Sequence, residues 1–135
     1  MDGDTFTLEG WAVPEGLADL HDLVERARVA HPDVDETAFM MLETAAIEIA
    51  GNVVEHGLPP GQVWWSFTLR MRPDHVEGVL ADDGQRYEGD LSALMPDPLA
   101  ESGRGIALAQ AALDELHYAH EGDKNVWTMR RRLRD

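Results

Sequence analysis

Residues 35–57, DETAFMMLETAAIEIAGNVVEHG, predict the central helix of this 135-residue chain. Apolar side chains recur in this stretch at spacings of three and four, the period of one helix face, at Phe39, Leu42, Ala46, Ile49 and Val53. Asp33 and Glu36 predict a capping pair at the start, and Gly57 with the prolines that follow it predicts the end. We expect a helix of about six turns over residues 35–56.

Strands are predicted on both sides of this helix. Residues 63–71 alternate apolar and polar side chains, as a half-buried strand does, and residues 76–81 are its expected hairpin partner. Residues 5–13 alternate in the same way and predict a first strand. Between the first strand and the central helix lies a further helix that ends at the His31-Pro32 step, with an apolar face formed by Leu17, Leu20, Val24 and Ala27.

The last third of the chain contains a long segment without periodicity. Residues 85–102 carry several prolines and glycines and predict a loop, and loops of this length in small domains are usually functional or mobile. A last helix is expected to open at residues 103–105, with Ile106, Ala109, Leu113 and Leu116 on one face, and residues 125–133 predict a final strand. The order β-α-α-β-β-loop-α-β, with its central hairpin, predicts an α+β fold in which helices cover one face of a mixed sheet.

Composition excludes several classes of protein. The chain has no Cys, so a disulfide scaffold, a Cys-ligated zinc site and a thiol nucleophile are excluded. Its net charge of −15 repels nucleic-acid phosphates and anionic lipid, and it suits a basic protein partner. No apolar run approaches the ~20 residues of a membrane span, and the N-terminus is acidic, unlike a signal peptide. We expect a cytoplasmic protein that binds neither nucleic acid nor membrane.

Three polar residues on the central helix are candidates for chemistry. Glu48, Asn52 and His56 are spaced by four, and at about 100° per residue the first two lie beside the apolar stripe, where a cleft could form. A carboxylate there can take a proton from an attacking hydroxyl, and an Asn carbonyl oxygen suits a hard cation such as Mg²⁺. The alternative is a solvated polar edge on an amphipathic helix.

Two further motifs follow along the chain. Asp82 and Gly84 stand at the end of a strand, where the carboxylate can accept a hydrogen bond from an exocyclic amine and the glycine lets backbone approach a ring; an ordinary turn is the alternative. Gly103, Arg104 and Gly105 open a helix, where free amides and the helix dipole favour anions and an Arg can grip phosphate. A flexible hinge is the alternative at that position.

The order of these motifs resembles that of the GHKL (Bergerat-fold) ATP-binding domains, and within them most closely the bacterial anti-sigma-factor serine/threonine kinases. Residues 48–57, EIAGNVVEHG, resemble the N-box of the family, and residues 101–116, ESGRGIALAQAALDEL, resemble its second glycine box and the helix that follows. The resemblance covers essentially the whole chain. It implies one ATP-binding domain over residues 1–135, folded as a two-layer α/β sandwich, with a mobile lid over about residues 85–102.

The resemblance also implies roles for individual residues. Glu48 would be the general base toward a partner hydroxyl, Asn52 would bind Mg²⁺, and Asp82 would bind the adenine amino group. The remaining nucleotide and phosphate contacts would come from His56, Gly84, Gly103, Arg104, Gly105 and Asn125, the last of which stands where the family often has a Thr. The implied activity is phosphorylation of an anti-sigma-factor antagonist of the STAS type, coupled to sequestration of a sigma factor. Homodimerisation is a further expectation from the family.

One departure from the family pattern keeps a second reading open. Arg86 occupies the place where the first glycine box would continue to a second Gly, and a positive φ there is costly for Arg. This favours a non-catalytic ATP-sensing or anti-sigma binding module of the same fold, whereas the presence of Glu48 favours a kinase. A histidine-kinase catalytic fragment fits less well, because the chain has no helix pair with a phospho-acceptor His.

Overall fold

The computed structural model of the chain describes residues 4–57, 59, 61–85 and 104–133. Its elements, in chain order, are β1 (Thr5–Trp11), α1 (Glu15–Ala30), α2 (Glu36–His56), β2 (Trp64–Met71), β3 (His75–Asp82), α3 (Arg104–Ala112), β4 (Glu115–Glu121) and β5 (Lys124–Arg132). The predicted first strand, two long helices and central hairpin are all present. The predicted lid lies outside the described residues, apart from Gln85.

The five strands form one sheet in the order β1-β2-β3-β5-β4. Alternate side chains of β2 are buried beneath the helices, with Trp65, Phe67 and Leu69 at most 1% exposed, while the residues between them are partly exposed on the other face. The apolar stripe predicted for the central helix lies in the same core, since Leu42, Ala46 and Ile49 of α2 are fully buried. The α+β sandwich with helices on one face is confirmed.

The prediction of a mixed sheet is wrong in one respect: every strand pair described is antiparallel. The cause is an additional strand. The last helix ends at Ala112 rather than continuing to Leu116, and Glu115–Glu121 forms β4. A single helical crossover from β3 to the final strand would give a parallel pair. Because β4 reverses the chain once more, β5 inserts between β3 and β4 antiparallel to both.

Side-chain packing accounts for β4. Leu116 pairs with Met129 and Tyr118 with Trp127 across β4 and β5, and the rings of Tyr118 and Trp127 lie 4.6 Å apart. A two-residue turn joins the strands, with Gly122 at φ +60°, a conformation that favours glycine. Leu116 fits the apolar spacing of a helix as well as that of a strand, so the partner strand decides between them.

The start of α2 differs from the predicted cap, while its end is as expected. The N-cap is Asp35, whose carboxylate accepts from the Thr37 backbone N–H at 3.0 Å, rather than the Asp33–Glu36 pair. The helix ends at His56, and the Gly57 N–H donates to the Val53 carbonyl at 2.7 Å. By length and composition α2 could span a membrane. Its burial in the core beneath the sheet accounts for its apolar character equally well.

Candidate functional site

Asp82 is a buried carboxylate at the last position of β3. Its side chain is 3% exposed, and its Oδ1 atom accepts hydrogen bonds from the Gly84 backbone N–H and from Asn125 Nδ2, both at 2.9 Å. Burial raises the pKa of Asp82 above its ordinary value, and the two hydrogen bonds to Oδ1 oppose this rise. The described residues supply no hydrogen-bond donor to the other carboxylate oxygen, Oδ2. Every fully buried side-chain oxygen and nitrogen of the described residues has a hydrogen-bond partner. Oδ2 is therefore not fully buried and reaches the accessible surface.

Asn125 lies directly opposite Asp82 in the β3–β5 register. Its Nδ2 group donates to Asp82 Oδ1, to the Gln85 carbonyl at 2.8 Å and to the Gly84 carbonyl at 3.2 Å. Its Oδ1 atom accepts from the Tyr118 hydroxyl and from His120 Nδ1 at 3.1 Å. Since an amide oxygen only accepts, the Nδ1 atom of His120 carries the hydrogen. All hydrogen-bonding capacity of Asn125 is therefore used inside the protein.

The C-terminal turn of α2 packs against the segment that follows β3. Gln85 Nε2 donates to the His56 carbonyl at 3.3 Å. The side chain of Val63 lies between two glycines: a Cβ atom built on Gly57 or on Gly84 would come within 3.1 Å of Val63 Cγ2. Both glycines therefore permit a close approach of backbone to Val63, and this contact brings the end of the central helix beside Asp82.

Glu48 and Asn52 are half-buried on α2, about two turns and one turn before its end, respectively. Neither side chain is hydrogen bonded within the described part of the chain. The carboxylate oxygens of Glu48 and the side-chain carbonyl oxygen of Asn52 are therefore available to a ligand. Mg²⁺ prefers oxygen ligands such as carboxylate and amide oxygens. The side chains of Glu48 and Asn52 therefore fit the cation that the sequence predicts. His56 is exposed, and its Nε2 atom lies 2.8 Å from the carboxylate of its neighbour Glu55.

The second glycine motif is described only in part. Gly103 lies outside the described residues, and Arg104 and Gly105 are the first two residues of α3. The described part of the helix therefore begins within the predicted motif. Ile106, Ala107 and Ala109 are buried along it. The phosphate-binding role of this motif stays a prediction.

Sequence reasoning missed Tyr118 and His120, the residues that hold Asn125. The apolar spacing of residues 106–116 favours a longer helix, so the sequence predicts no strand at these two residues. The alternation of Leu116, Tyr118 and His120, followed by Gly122, was the available signal for a hairpin.

A second group of titratable side chains lies between α1 and α2. The ligand atoms of His21, Glu25 and Glu43 lie within 4.8 Å of one another. His21 Nδ1 is 2.5 Å from Glu43 Oε2, and this hydrogen bond raises the pKa of His21. Glu25 is engaged by the Arg28 guanidinium at 2.8 Å, which lowers the pKa of Glu25. The group is thus satisfied by its own ion pairs, and none of its members contacts Asp82.

Comparison with known proteins gives one family and one fold. The model of the histidine kinase-like ATPase domain family matches residues 10–131. The chain is similar to the structure of the RsbU and RsbW domains of a Mycobacterium tuberculosis protein, with 19% identity and a TM-score of 0.63 over 94% of this chain and 32% of that chain. It is also similar to the Acinetobacter baumannii histidine kinase AdeS, with 15% identity and a TM-score of 0.51 over 95% of this chain and 68% of that chain. This chain spans about a third of the mycobacterial structure. No curated protein sequence matches it.

Proposed function

This chain belongs to the histidine kinase-like ATPase domain family, and from that premise we propose that it is an ATP-dependent serine/threonine protein kinase that also acts as an anti-sigma factor. The substrate would be an anti-sigma-factor antagonist, and the sequestered partner a sigma factor. Each part of this proposal rests on a different set of observations.

The observation that carries the nucleotide-binding part is Asp82. A carboxylate that is 3% exposed has given up most of its hydration, and such groups are concentrated at functional sites. Its Oδ2 atom is free to accept a hydrogen bond from the exocyclic amine of adenine. Gly84 has no side chain to block the approach of a base, and Asn125 keeps the carboxylate in place through Oδ1.

The phosphoryl-transfer part is assigned to α2. Glu48 would act as the general base that takes the proton from a partner Ser or Thr hydroxyl, and Asn52 would offer its carbonyl oxygen to Mg²⁺. When bound, Mg²⁺ would neutralise negative charge on the phosphate groups. Gly103, Arg104, Gly105 and His56 are proposed to contact the nucleotide or its phosphates.

The partner assignment is supported by charge and by a structural neighbour. The net charge of −15 favours a basic protein surface as partner. The similar mycobacterial structure contains an RsbW domain, and the resemblance of the sequence is to anti-sigma-factor kinases. These observations support a role in transcription regulation in the cytoplasm.

A non-catalytic module of the same fold is the second candidate, and Arg86 in place of a glycine is the sequence observation that favours it. Calorimetric titration of ATP with and without Mg²⁺, followed by a γ-phosphate transfer assay against antagonist proteins, separates the two. We expect Mg²⁺-dependent binding and transfer to a Ser or Thr. Binding without transfer to any antagonist would favour the non-catalytic ATP-sensing module. The absence of binding at millimolar ATP would contradict both the kinase and the ATP-sensing module and would leave only an anti-sigma module that binds no nucleotide.

A further inference from the structure

The hydrogen bonds around Asp82 leave its two oxygens unequal. Oδ1 accepts from two donors, the Gly84 N–H and Asn125 Nδ2. A carboxylate oxygen has about two lone-pair sites, so Oδ1 has no acceptor capacity left. Oδ2 has no donor from the described residues and reaches the accessible surface. The site therefore presents one hydrogen-bond acceptor to a ligand, where a free carboxylate would present two side by side.

This inequality matters for the choice between purines. A carboxylate with both oxygens free is well matched to guanine, which carries a ring N–H and an exocyclic amine next to each other. Adenine carries its exocyclic amine beside an unprotonated ring nitrogen, so it offers a single donor at that edge. A guanine placed against Asp82 would direct one of its two donors at the saturated Oδ1 atom, and a buried donor without an acceptor is costly.

Resting on the proposed function, we infer that Asn125 is a specificity-determining positioning residue: by saturating Oδ1 of Asp82 together with Gly84, it makes the site select adenine over guanine nucleotides. Asn125 acts through Asp82 and does not itself contact the base, because its own donors and acceptor are all engaged. Its contacts with the Gly84 and Gln85 carbonyls also hold the turn that delivers the Gly84 N–H to Oδ1. Tyr118 and His120 hold Asn125 from the other side.

The test is calorimetric titration of the full chain with Mg·ATP and with Mg·GTP. The wild type is expected to bind ATP at least about tenfold more tightly than GTP, the size of one buried hydrogen bond. In Asn125→Ala the ATP/GTP affinity ratio is expected to fall by roughly tenfold, because Oδ1 regains a free lone pair. General damage to the fold would weaken both nucleotides together and would leave the ratio unchanged.

Asn52→Ala is the matched control. It is the same substitution at the proposed metal ligand, away from the base, and it is expected to weaken both nucleotides without changing their ratio. Circular dichroism checks that each variant is folded. Should Asn125→Ala fail to fold, Asn125→Ser keeps a small polar group at the same position and is expected to shift the ratio in the same direction.

Equal affinity of the wild type for the two nucleotides would overturn the inference without touching the proposed function. So would an unchanged ratio in a folded Asn125 variant. A wild type that binds neither nucleotide would overturn the proposed function itself, and this inference with it.

Discussion

Asp82 and Asn125 face each other across strands β3 and β5, and Asn125 Nδ2 lies 2.9 Å from Asp82 Oδ1. The two residues are separated by 43 positions in the chain. Both are almost fully buried, with exposures of 3% and 2%. A buried carboxylate held by a buried amide is a rigid acceptor, since its remaining oxygen is positioned by contacts that are made before any ligand arrives.

Asp82→Asn tests the nucleotide site. Mg·ATP is expected to raise the melting temperature of the wild type, because a ligand that binds only the folded state stabilises it. In Asp82→Asn this shift is expected to vanish, since the amide can place an N–H group where the amine of adenine needs an acceptor. Asp83→Asn, the same change at the exposed neighbour, should keep the shift. An undiminished shift in Asp82→Asn would contradict the assignment of Asp82.

The same variant predicts a pH dependence of stability without nucleotide. The pKa of Asp82 is raised by burial, so the folded state holds this proton more tightly than the unfolded state does. Its contribution to stability is present below the ordinary pKa of 3.8 and is lost as pH rises through the raised value. Asp82→Asn is therefore expected to gain stability relative to the wild type as pH increases from about 4 to 7. Urea titrations across this range measure it, and a difference that is constant with pH would refute the prediction.

Glu48→Ala tests the proposed base. The variant is expected to keep Mg·ATP binding within a few-fold, because the proposed adenine contact lies on β3, and to lose about 10²–10⁴-fold in the rate of γ-phosphate transfer to an antagonist protein. Glu36→Ala, an exposed carboxylate in the first turn of the same helix, is the control and should transfer at the wild-type rate. Equal rates in Glu48→Ala and the wild type would remove Glu48 as the base.

The His21–Glu43 pair between α1 and α2 predicts a second pH effect. The hydrogen bond and the charge of Glu43 raise the pKa of His21 above 6.5. The pair therefore stabilises the fold fully below pH 6.5 and loses this contribution as pH rises through the raised pKa. Glu43→Gln is expected to lower the melting temperature at about pH 6 and to have less effect at about pH 9. Glu9→Gln, the same change at an exposed position of β1, should show no such difference, and a Glu43→Gln effect that grows with pH would contradict the assignment.

Gly84→Ala tests the close packing between the helix end and the strand end. The new Cβ would lie 3.1 Å from Val63 Cγ2 and 3.2 Å from Asp82 Oδ1, so the neighbours must move. We expect a loss of about 1–3 kcal/mol in unfolding free energy, together with weaker ATP binding. Val63→Ala in the same chain should recover part of this loss, which a double-mutant cycle measures. Gly10→Ala is the control, because a Cβ atom added at this position would have no other atom within 4 Å. Strictly additive effects of the Gly84 and Val63 substitutions would show that they do not share the contact.

Local periodicity was sufficient for α1, α2, β1 and the β2–β3 hairpin. The stripe from Phe39 to Val53 could only be a helix, because its spacing matches no other regular structure, and the alternation of residues 63–71 could only be a strand. The same spacing predicts that Glu48 and Asn52 share one side of α2, and the strand pattern predicts that Asp82 ends β3.

Tertiary structure decided everything that depends on a partner distant in sequence. The spacing of Leu113 and Leu116 suits a helix, and that of Leu116 and Tyr118 suits a strand. Pairing with β5 makes this segment β4 and renders the sheet antiparallel. The contact of Asn125 with Asp82 arises from the pairing of β5 with β3 on its other side. A sequence pattern reports which side of an element is apolar, whereas the side chain that will satisfy a buried carboxylate is set by the register of strands that meet only when the chain folds.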